Sequence, residues 1–160
     1  RSLFLSRLWS HVQQPQHSQR GTCFPPPPPK TAFLPRITFF LFNQEGGSSR
    51  TAIVCFPGES VYLVVRGGSF WGTLTQIVNW QCQGLLSFSD SIIQNWASGN
   101  TAIEATAGRV IVRGNYFHDK QGTAISISSG VDRAIITENE LLGNPLKISL
   151  ASAVVANNDP

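Results

Sequence analysis

One short pattern that recurs along the chain constrains the fold more than any other feature of the sequence. The string VIVRGNYF at 110–117 returns 24 residues later as AIITENEL at 134–141, and weaker versions stand on either side. Repeats of about 20 to 50 residues are typical of solenoids, in which each repeat forms one coil stacked on the last. Aligned on one turn residue, the repeats have anchors at Gly68, Asp90, Asn115, Asn139 and Asn157.

The sequence from Thr51 onward favours short strands rather than helices. Runs of four to seven β-forming residues alternate with Gly, Ser, Asn and Asp turns, and no helical apolar stripe lasts ten residues. We therefore expect an all-β fold of about four to five coils. A second series of isoleucines recurs in step with the first pattern, at Ile77, Ile103, Ile125 and Ile148.

The same pattern predicts which side chains form the core. Because side chains alternate along a strand, the positions five and three before each anchor share one face, and the turn brings the position two after it back inward. The predicted inward residues are Leu63, Val65, Phe70, Leu85, Ser87, Ile92, Val110, Val112, Phe117, Ala134, Ile136, Leu141, Ser152, Val154 and Asp159.

The anchors themselves predict a turn and a ladder. Gly, Asn and Asp tolerate the left-handed backbone conformation that a sharp turn between strands commonly needs. Stacked about 4.8 Å apart, the amides of Asn115 and Asn139 can also hydrogen-bond each other along the axis. We interpret these asparagines as structural residues.

Residues 1–50 differ in composition from the rest. They carry six basic residues and one acidic residue, whereas 51–160 carry six basic and eight acidic ones. The basic charge thus lies outside the repeats, so no nucleic-acid partner is expected. With glutamines and five consecutive prolines at 25–29, residues 1–50 are predicted to be low-complexity and poorly ordered, and 51–160 to form the solenoid. The apolar ITFFLF at 37–42 is either a strand covering the open end or unrelated sequence.

Three further features bound the context of the chain. It contains no methionine and opens on Arg1, so we expect a fragment or a processed product. The apolar SLFLSRLW is interrupted by Arg7, which leaves it too short to span a membrane. Cys23, Cys55 and Cys82 form no C-x-x-C pair, so we expect buried free thiols and no metal site.

The repeats VIVRGNYF and GVDRAIITENELLGN resemble the right-handed parallel β-helix of the pectate lyase superfamily, over roughly residues 59–160. The resemblance implies a secreted or surface-exposed protein that acts on polysaccharide, as a lyase or a glycoside hydrolase, with calcium expected only for a lyase. The superfamily also contains non-catalytic glycan-binding proteins and trimeric phage tailspikes. A structural or glycan-binding β-solenoid, including a homotrimer, is therefore the alternative.

Two arginines are predicted to share an outward slot. Arg66 and Arg113 each stand two residues before an anchor, two coils apart. At about 10 Å from each other they can grip the carboxylates of a uronate polymer. The competing interpretation is two solvated arginines on a sheet face.

Charged residues follow the Asn115 turn and surround Asn139. Glycoside hydrolysis needs two carboxyl groups about 5 to 9.5 Å apart, and Asp119 with Glu138 or Glu140 can provide them. A lyase instead needs a base, for which Arg113 or His118 are candidates. Tyr116 and Glu140 hold equivalent slots and should be neighbours. The competing interpretation is ordinary solvated turn residues.

Three tryptophans at or near turns, Trp71, Trp80 and Trp96, are candidate sugar platforms, with burial at coil edges as the competing interpretation. An outward apolar column, four before each anchor, predicts a surface covered by residues 1–50 or by neighbouring subunits, unless its members merely suit strands. This column comprises Val64, Leu86, Ile111, Ile135 and Ala153.

Overall fold

The computed structural model describes residues 36–40, 43–46, 51–72, 74–118 and 122–160, and in these ranges it contains strands and no helix. The strands form three parallel sheets. The six-stranded sheet contains, in order, β1 (Arg36–Phe40), β4 (Ser60–Arg66), β7 (Gln83–Ser89), β10 (Arg109–Arg113), β13 (Arg133–Thr137) and β15 (Val154–Ala156). The four-stranded sheet contains β2 (Asn43–Gly46), β5 (Ser69–Gly72), β8 (Ile92–Ile93) and β11 (Tyr116–Phe117). The five-stranded sheet contains β3 (Thr51–Cys55), β6 (Gln76–Trp80), β9 (Thr101–Ala105), β12 (Thr123–Ile127) and β14 (Leu146–Ile148).

The chain visits the three sheets in turn and then begins again. Every third strand returns to the same sheet and pairs in parallel with the strand one coil earlier. The result is a parallel β-solenoid of about four turns, which confirms the predicted fold class. Its backbone hydrogen bonds run along the axis, so each coil depends on its neighbours.

The core consists of inward columns, as the alternation predicts. Leu63, Val110 and Ala134 lie in one column and Val65, Val112 and Ile136 in the next, and all are buried. Of the five residues predicted inward two positions after an anchor, Phe70, Phe117 and Leu141 are buried. In the Asp90 coil, Ile93 rather than Ile92 continues this inward column. Its buried residues are Phe70, Ile93, Phe117 and Leu141.

The predicted register is wrong by one residue in the coil that contains Asp90. Pairing places Leu86 and Phe88, not Leu85 and Ser87, in the inward columns, and Ile92 is 47% exposed. The same slip occurs at the last coil, where Val155 rather than Val154 continues the inward column. Asp and Asn suit both the anchor and the position before it, so residue type alone did not fix the register.

The prediction of a left-handed turn residue is confirmed for the anchors Asp90 and Asn157. In the other three coils the left-handed residue is the one before the anchor, contrary to the prediction. Asn115 and Asn139 are not left-handed. The positive φ angles of 52° to 67° belong to the column one residue earlier. That column contains Gly67, Asp90, Gly114, Glu138 and Asn157.

The anchor column forms the predicted ladder. The Asn115 Nδ2 donates to Asn139 Oδ1 at 2.9 Å, and Asn139 Nδ2 donates to Asn158 Oδ1 at 2.8 Å. Each ladder side chain also accepts the backbone N–H of the preceding coil: Asn139 Oδ1 from Asn115 and Asn115 Oδ1 from Ser91. These turns are buried, so the ladder satisfies polar groups that water does not reach.

The isoleucine series is only partly one column. Ile103 and Ile125 pair in register, but the residue paired with Ile103 one coil earlier is Val78, next to Ile77. Ile148 pairs with Ile127. The series looked continuous because β6 offers a neighbouring apolar residue, Val78 beside Ile77, and β14 offers a second one two positions away, Leu146 before Ile148.

The prediction of free thiols is wrong for two of the three cysteines. Cys55 and Cys82 are buried and form a disulfide that links consecutive coils. Cys55 ends β3 and Cys82 follows β6 by two residues, so the parallel pairing of these strands brings the two sulfur atoms together. Cys23 lies outside the described residues.

The strand expected within 37–42 is present as β1, at the edge of the six-stranded sheet, where it pairs with β4. The β2 strand likewise pairs with β5. The remainder of the predicted segment 1–50 lies outside the described residues. Among the residues that the structure describes, no helix is long and apolar enough to cross a membrane.

Candidate functional site

Most of the predicted site residues lie on either side of one turn. Arg66, Arg113 and Glu138 stand where the six-stranded sheet ends. The chain then turns into the four-stranded sheet. Its outward positions carry Trp71, Tyr116, His118 and Glu140. The outer faces of the six-stranded and four-stranded sheets point away from each other at this turn. The residues before the turn and those after it therefore do not enclose a common cleft.

The predicted shared slot of Arg66 and Arg113 is confirmed, because both pair with Ser89 on the intervening strand. Both guanidinium groups, however, already have carboxylate partners. Arg66 Nε contacts Asp90 Oδ2 at 3.0 Å, and Arg113 Nε contacts Glu138 Oε2 at 2.7 Å. The four side chains alternate in charge along the axis and neutralise one another, which weakens their case as a grip for an acidic polymer.

The partner of Arg113 also bears on its candidate role as a base. The hydrogen bond from Arg113 to Glu138, together with the attraction between their charges, raises the pKa of the guanidinium above its ordinary value. A cation that holds its proton more firmly is a poorer proton acceptor. This contact therefore argues against Arg113 as the base of a lyase.

Two other arginines form a basic site that the sequence analysis missed. Arg109 and Arg133 pair directly on adjacent strands, and both are exposed. Among the described residues neither makes a salt bridge. Arg109 Nη2 donates to Tyr62 Oη at 2.7 Å, and its guanidinium carbon lies 5.7 Å from the centre of the Tyr62 ring.

The signal for this site was present in the sequence. Arg109 and Arg133 both stand six residues before an anchor, 24 residues apart. Tyr62 falls in the same outward column, because it pairs with Leu85 and Leu85 pairs with Arg109. The register slip in the Asp90 coil placed Leu85 inward and concealed this column.

On the four-stranded side, Tyr116 and Glu140 are neighbours as predicted, because they form a parallel bridge. Glu140 forms a second bridge with Asp159, which places two exposed carboxylates on adjacent coils. The rings of Tyr116 and His118 meet edge to face at 5.7 Å. Asp159 was expected inward, and the slip in the last coil accounts for this error.

Of the three predicted sugar platforms, one is exposed and two, Trp80 and Trp96, are buried. Trp71 is 37% exposed on the four-stranded face. Trp96 is buried, donates its Nε1–H to the Asn100 carbonyl and packs edge to face against Phe117. A ring in that position does not present a flat face to a surface-bound sugar. Asp119 lies outside the described residues, so its pairing with Glu138 or Glu140 stays a prediction.

The predicted apolar column is less continuous than expected. Leu86 points into the core, and Ser87 takes its outward slot between Val64 and Ile111. Val64, Ile111 and Ile135 are only half-buried by their neighbours on the sheet.

Within the described ranges, no three His, Cys, Asp or Glu side chains are grouped so that they could hold a metal ion. Comparison of the chain with known protein families, with curated proteins and with solved structures finds no match.

Proposed function

We propose that this β-solenoid is a secreted or cell-surface protein that binds an acidic polysaccharide along the outer face of its six-stranded sheet. The observation that supports the proposal is the pair Arg109 and Arg133. These exposed cations stand on adjacent strands, about 4.8 Å apart along the axis, and no described carboxylate forms a salt bridge with them. An extended polymer with regularly spaced carboxylates matches such a column.

Tyr62 strengthens the site by holding one of these arginines in place. The hydrogen bond and the ring contact orient the Arg109 guanidinium before any ligand arrives. Less side-chain entropy is then lost on binding, so the positioned arginine contributes more of its ion-pair energy to affinity.

The composition of this face favours a glycan over a nucleic acid. Single-stranded nucleic acids bind through aromatic platforms on which bases stack. The Tyr62 ring on this face is covered by Arg109, and Phe40 of β1 stands at the edge strand, in register with Arg66. The central column of Val64, Ser87, Ile111 and Ile135 is half-buried and contains no aromatic ring on which a base could stack.

The disulfide supports the proposed location. Buried disulfides form and persist in oxidising compartments and are rare in reducing ones. The Cys55–Cys82 bond therefore fits a secreted or surface-exposed protein. The repeat pattern resembles that of the pectate lyase superfamily, and membership of that superfamily and assembly into trimers remain part of the proposal.

The test is equilibrium binding to polygalacturonate, with dextran as the uncharged comparison. We expect Arg109→Gln with Arg133→Gln to weaken polygalacturonate binding at least tenfold, since two ion pairs of about 1 kcal/mol each are lost. The matched control is Arg66→Gln with Asp90→Asn, which removes a cation and its own carboxylate. Unchanged affinity in the first variant, or equal loss in the control, would refute the assignment.

Catalysis on a glycan is the second candidate, and the Glu140–Asp159 pair is the observation that favours it. The two residues are bridged on adjacent coils, about 4.8 Å apart at the backbone, and glycoside hydrolysis requires carboxyl groups about 5 to 9.5 Å apart. A lyase would instead draw on His118 as a base, with calcium neutralising the uronate.

Turnover separates these outcomes from binding alone. The wild-type chain would be incubated with polygalacturonate and with neutral polysaccharides, and reducing ends and unsaturated products measured. A hydrolase predicts reducing ends that are lost in both Glu140→Gln and Asp159→Asn, whereas a lyase predicts unsaturated products lost in His118→Ala. Binding without either product leaves the non-catalytic glycan-binding protein.

A further inference from the structure

The outer face of the four-stranded sheet carries a concentration of exposed apolar side chains. Within the described ranges six large hydrophobic residues are exposed, and three of them lie on this face or directly continue it. They are Trp71, Ile92 and Leu142, which are 37%, 47% and 38% exposed. Exposed apolar clusters of this kind commonly mark an interaction site.

Strand pairing arranges these residues in two columns along the axis. Ile92 pairs with Tyr116, which is bridged to Glu140. Phe70 pairs with Ile93, and Ile93 with Phe117, so Trp71 and His118 occupy equivalent positions two coils apart. The Trp71 and Tyr116–His118 rings thus stand about 10 Å apart along the solenoid.

The charge of this face is opposite to that of the arginine face. None of its described side chains is a lysine or an arginine, and its described carboxylates are Glu140 and Asp159 at the C-terminal end. By backbone register, Glu45 of β2 stands beside Trp71 at the other end. Carboxylates repel a polyanion, so without a bridging cation the acidic polymer proposed above is not the ligand here. A neutral ligand with apolar faces and many hydroxyl groups fits better, because Gln94 and Glu140 supply hydrogen-bonding groups beside the rings.

We infer that the four-stranded face is a second binding site, which stacks the sugar rings of a neutral polysaccharide on Trp71 and on the Tyr116–His118 pair. The inference goes beyond the proposed function in site and in ligand class. Two glycan sites on adjacent walls would let one molecule bridge an acidic and a neutral polymer.

A protein partner is the competing occupant, and the composition of the face disfavours it. The buried centres of protein interfaces are depleted of charged residues. Here Glu140 directly follows Tyr116 in the apolar column, so a protein covering the rings would also have to cover a carboxylate. A hydrated sugar chain can instead accept hydrogen bonds at the edges of the rings, and its hydroxyl groups can donate hydrogen bonds to that carboxylate.

The experiment measures binding to hydroxyethylcellulose, an uncharged polymer, by affinity electrophoresis and by tryptophan fluorescence. Trp71→Ala and Tyr116→Ala are each expected to weaken binding about tenfold, and Trp71→Phe to retain most of it. Phe56→Ala is the matched control, because Phe56 is 46% exposed but follows β3, away from this face. The variant with Arg109→Gln and Arg133→Gln should bind normally, and 0.5 M salt should have little effect.

The outcomes distinguish this inference from the proposed function. Wild-type binding to polygalacturonate without binding to hydroxyethylcellulose overturns the inference alone. Equal weakening by Phe56→Ala and Trp71→Ala also overturns it. If Trp71→Ala converts an oligomer into a monomer without changing glycan affinity, the face is a subunit contact. Failure to bind either polymer removes both proposals.

Discussion

Replacing Asn139 with alanine should destabilise the protein severely, because this side chain joins three consecutive coils. It is buried and makes four hydrogen bonds. Its Oδ1 accepts from the Asn115 N–H at 3.1 Å and from Asn115 Nδ2 at 2.9 Å. Its Nδ2 donates to the Val112 carbonyl at 3.1 Å and to Asn158 Oδ1 at 2.8 Å.

The magnitude follows from these contacts. A typical hydrogen bond contributes about 1 kcal/mol net, so four give about 4 kcal/mol. Water does not compensate for the lost hydrogen bonds, because the Asn115 N–H is buried and no water takes the place of its acceptor. Against a total stability of about 5 to 15 kcal/mol, Asn139→Ala should remove about a quarter or more.

The assay is urea unfolding followed by circular dichroism, with Asn79→Ala as the matched control. Asn79 lies on an outward position and accepts one side-chain hydrogen bond, from Gln81 Nε2 at 2.9 Å. We expect the control to lose less than about 1 kcal/mol. If the two variants lose the same free energy of unfolding, the ladder does not hold the coils together as described.

Two further predictions concern stability. Replacing Cys55 and Cys82 with serine removes a disulfide between residues 27 positions apart, which restores conformational entropy to the unfolded chain. The free energy of unfolding should therefore fall by about 3.5 kcal/mol. With Cys23→Ser as the control, an unchanged urea midpoint in the double variant would show that the disulfide does not link the coils. Gly84→Ala should lower the free energy of unfolding by about 2 kcal/mol more than Gly58→Ala does. Both glycines have positive φ, at 107° and 88°, but only at Gly84 would a Cβ overlap the Val61 backbone. Equal melting temperatures of the two variants would refute this close approach.

The sequence was sufficient to predict the architecture, because period-two alternation and a recurring turn residue are local signals that every coil repeats. The columns of Val112 with Ile136 and of Phe117 with Leu141 follow from them directly. The register within one coil was not predictable in the same way. Asp90 occupies the left-handed position and Ser91 the ladder position, and both residue types suit a turn.

The candidate site was predictable only in part. Tyr116 and Glu140 were correctly predicted to be neighbours, because residues at the same position in consecutive repeats lie side by side when the register is right. The ion pairs of Arg66 and Arg113 join residues 24 and 25 positions apart, and which carboxylate each arginine selects depends on side-chain reach across coils. The burial of Trp96 likewise depends on its packing against Phe117, which strand alternation does not encode.

The most direct measurement of the central claim is a crystal structure of the chain with a short oligogalacturonate. The claim predicts consecutive carboxylates of the ligand within salt-bridge distance of Arg109 and Arg133, with Tyr62 still bonded to Arg109. A ligand bound elsewhere while these two arginines remain in solvent, or strands β10 and β13 that are not parallel neighbours, would contradict it.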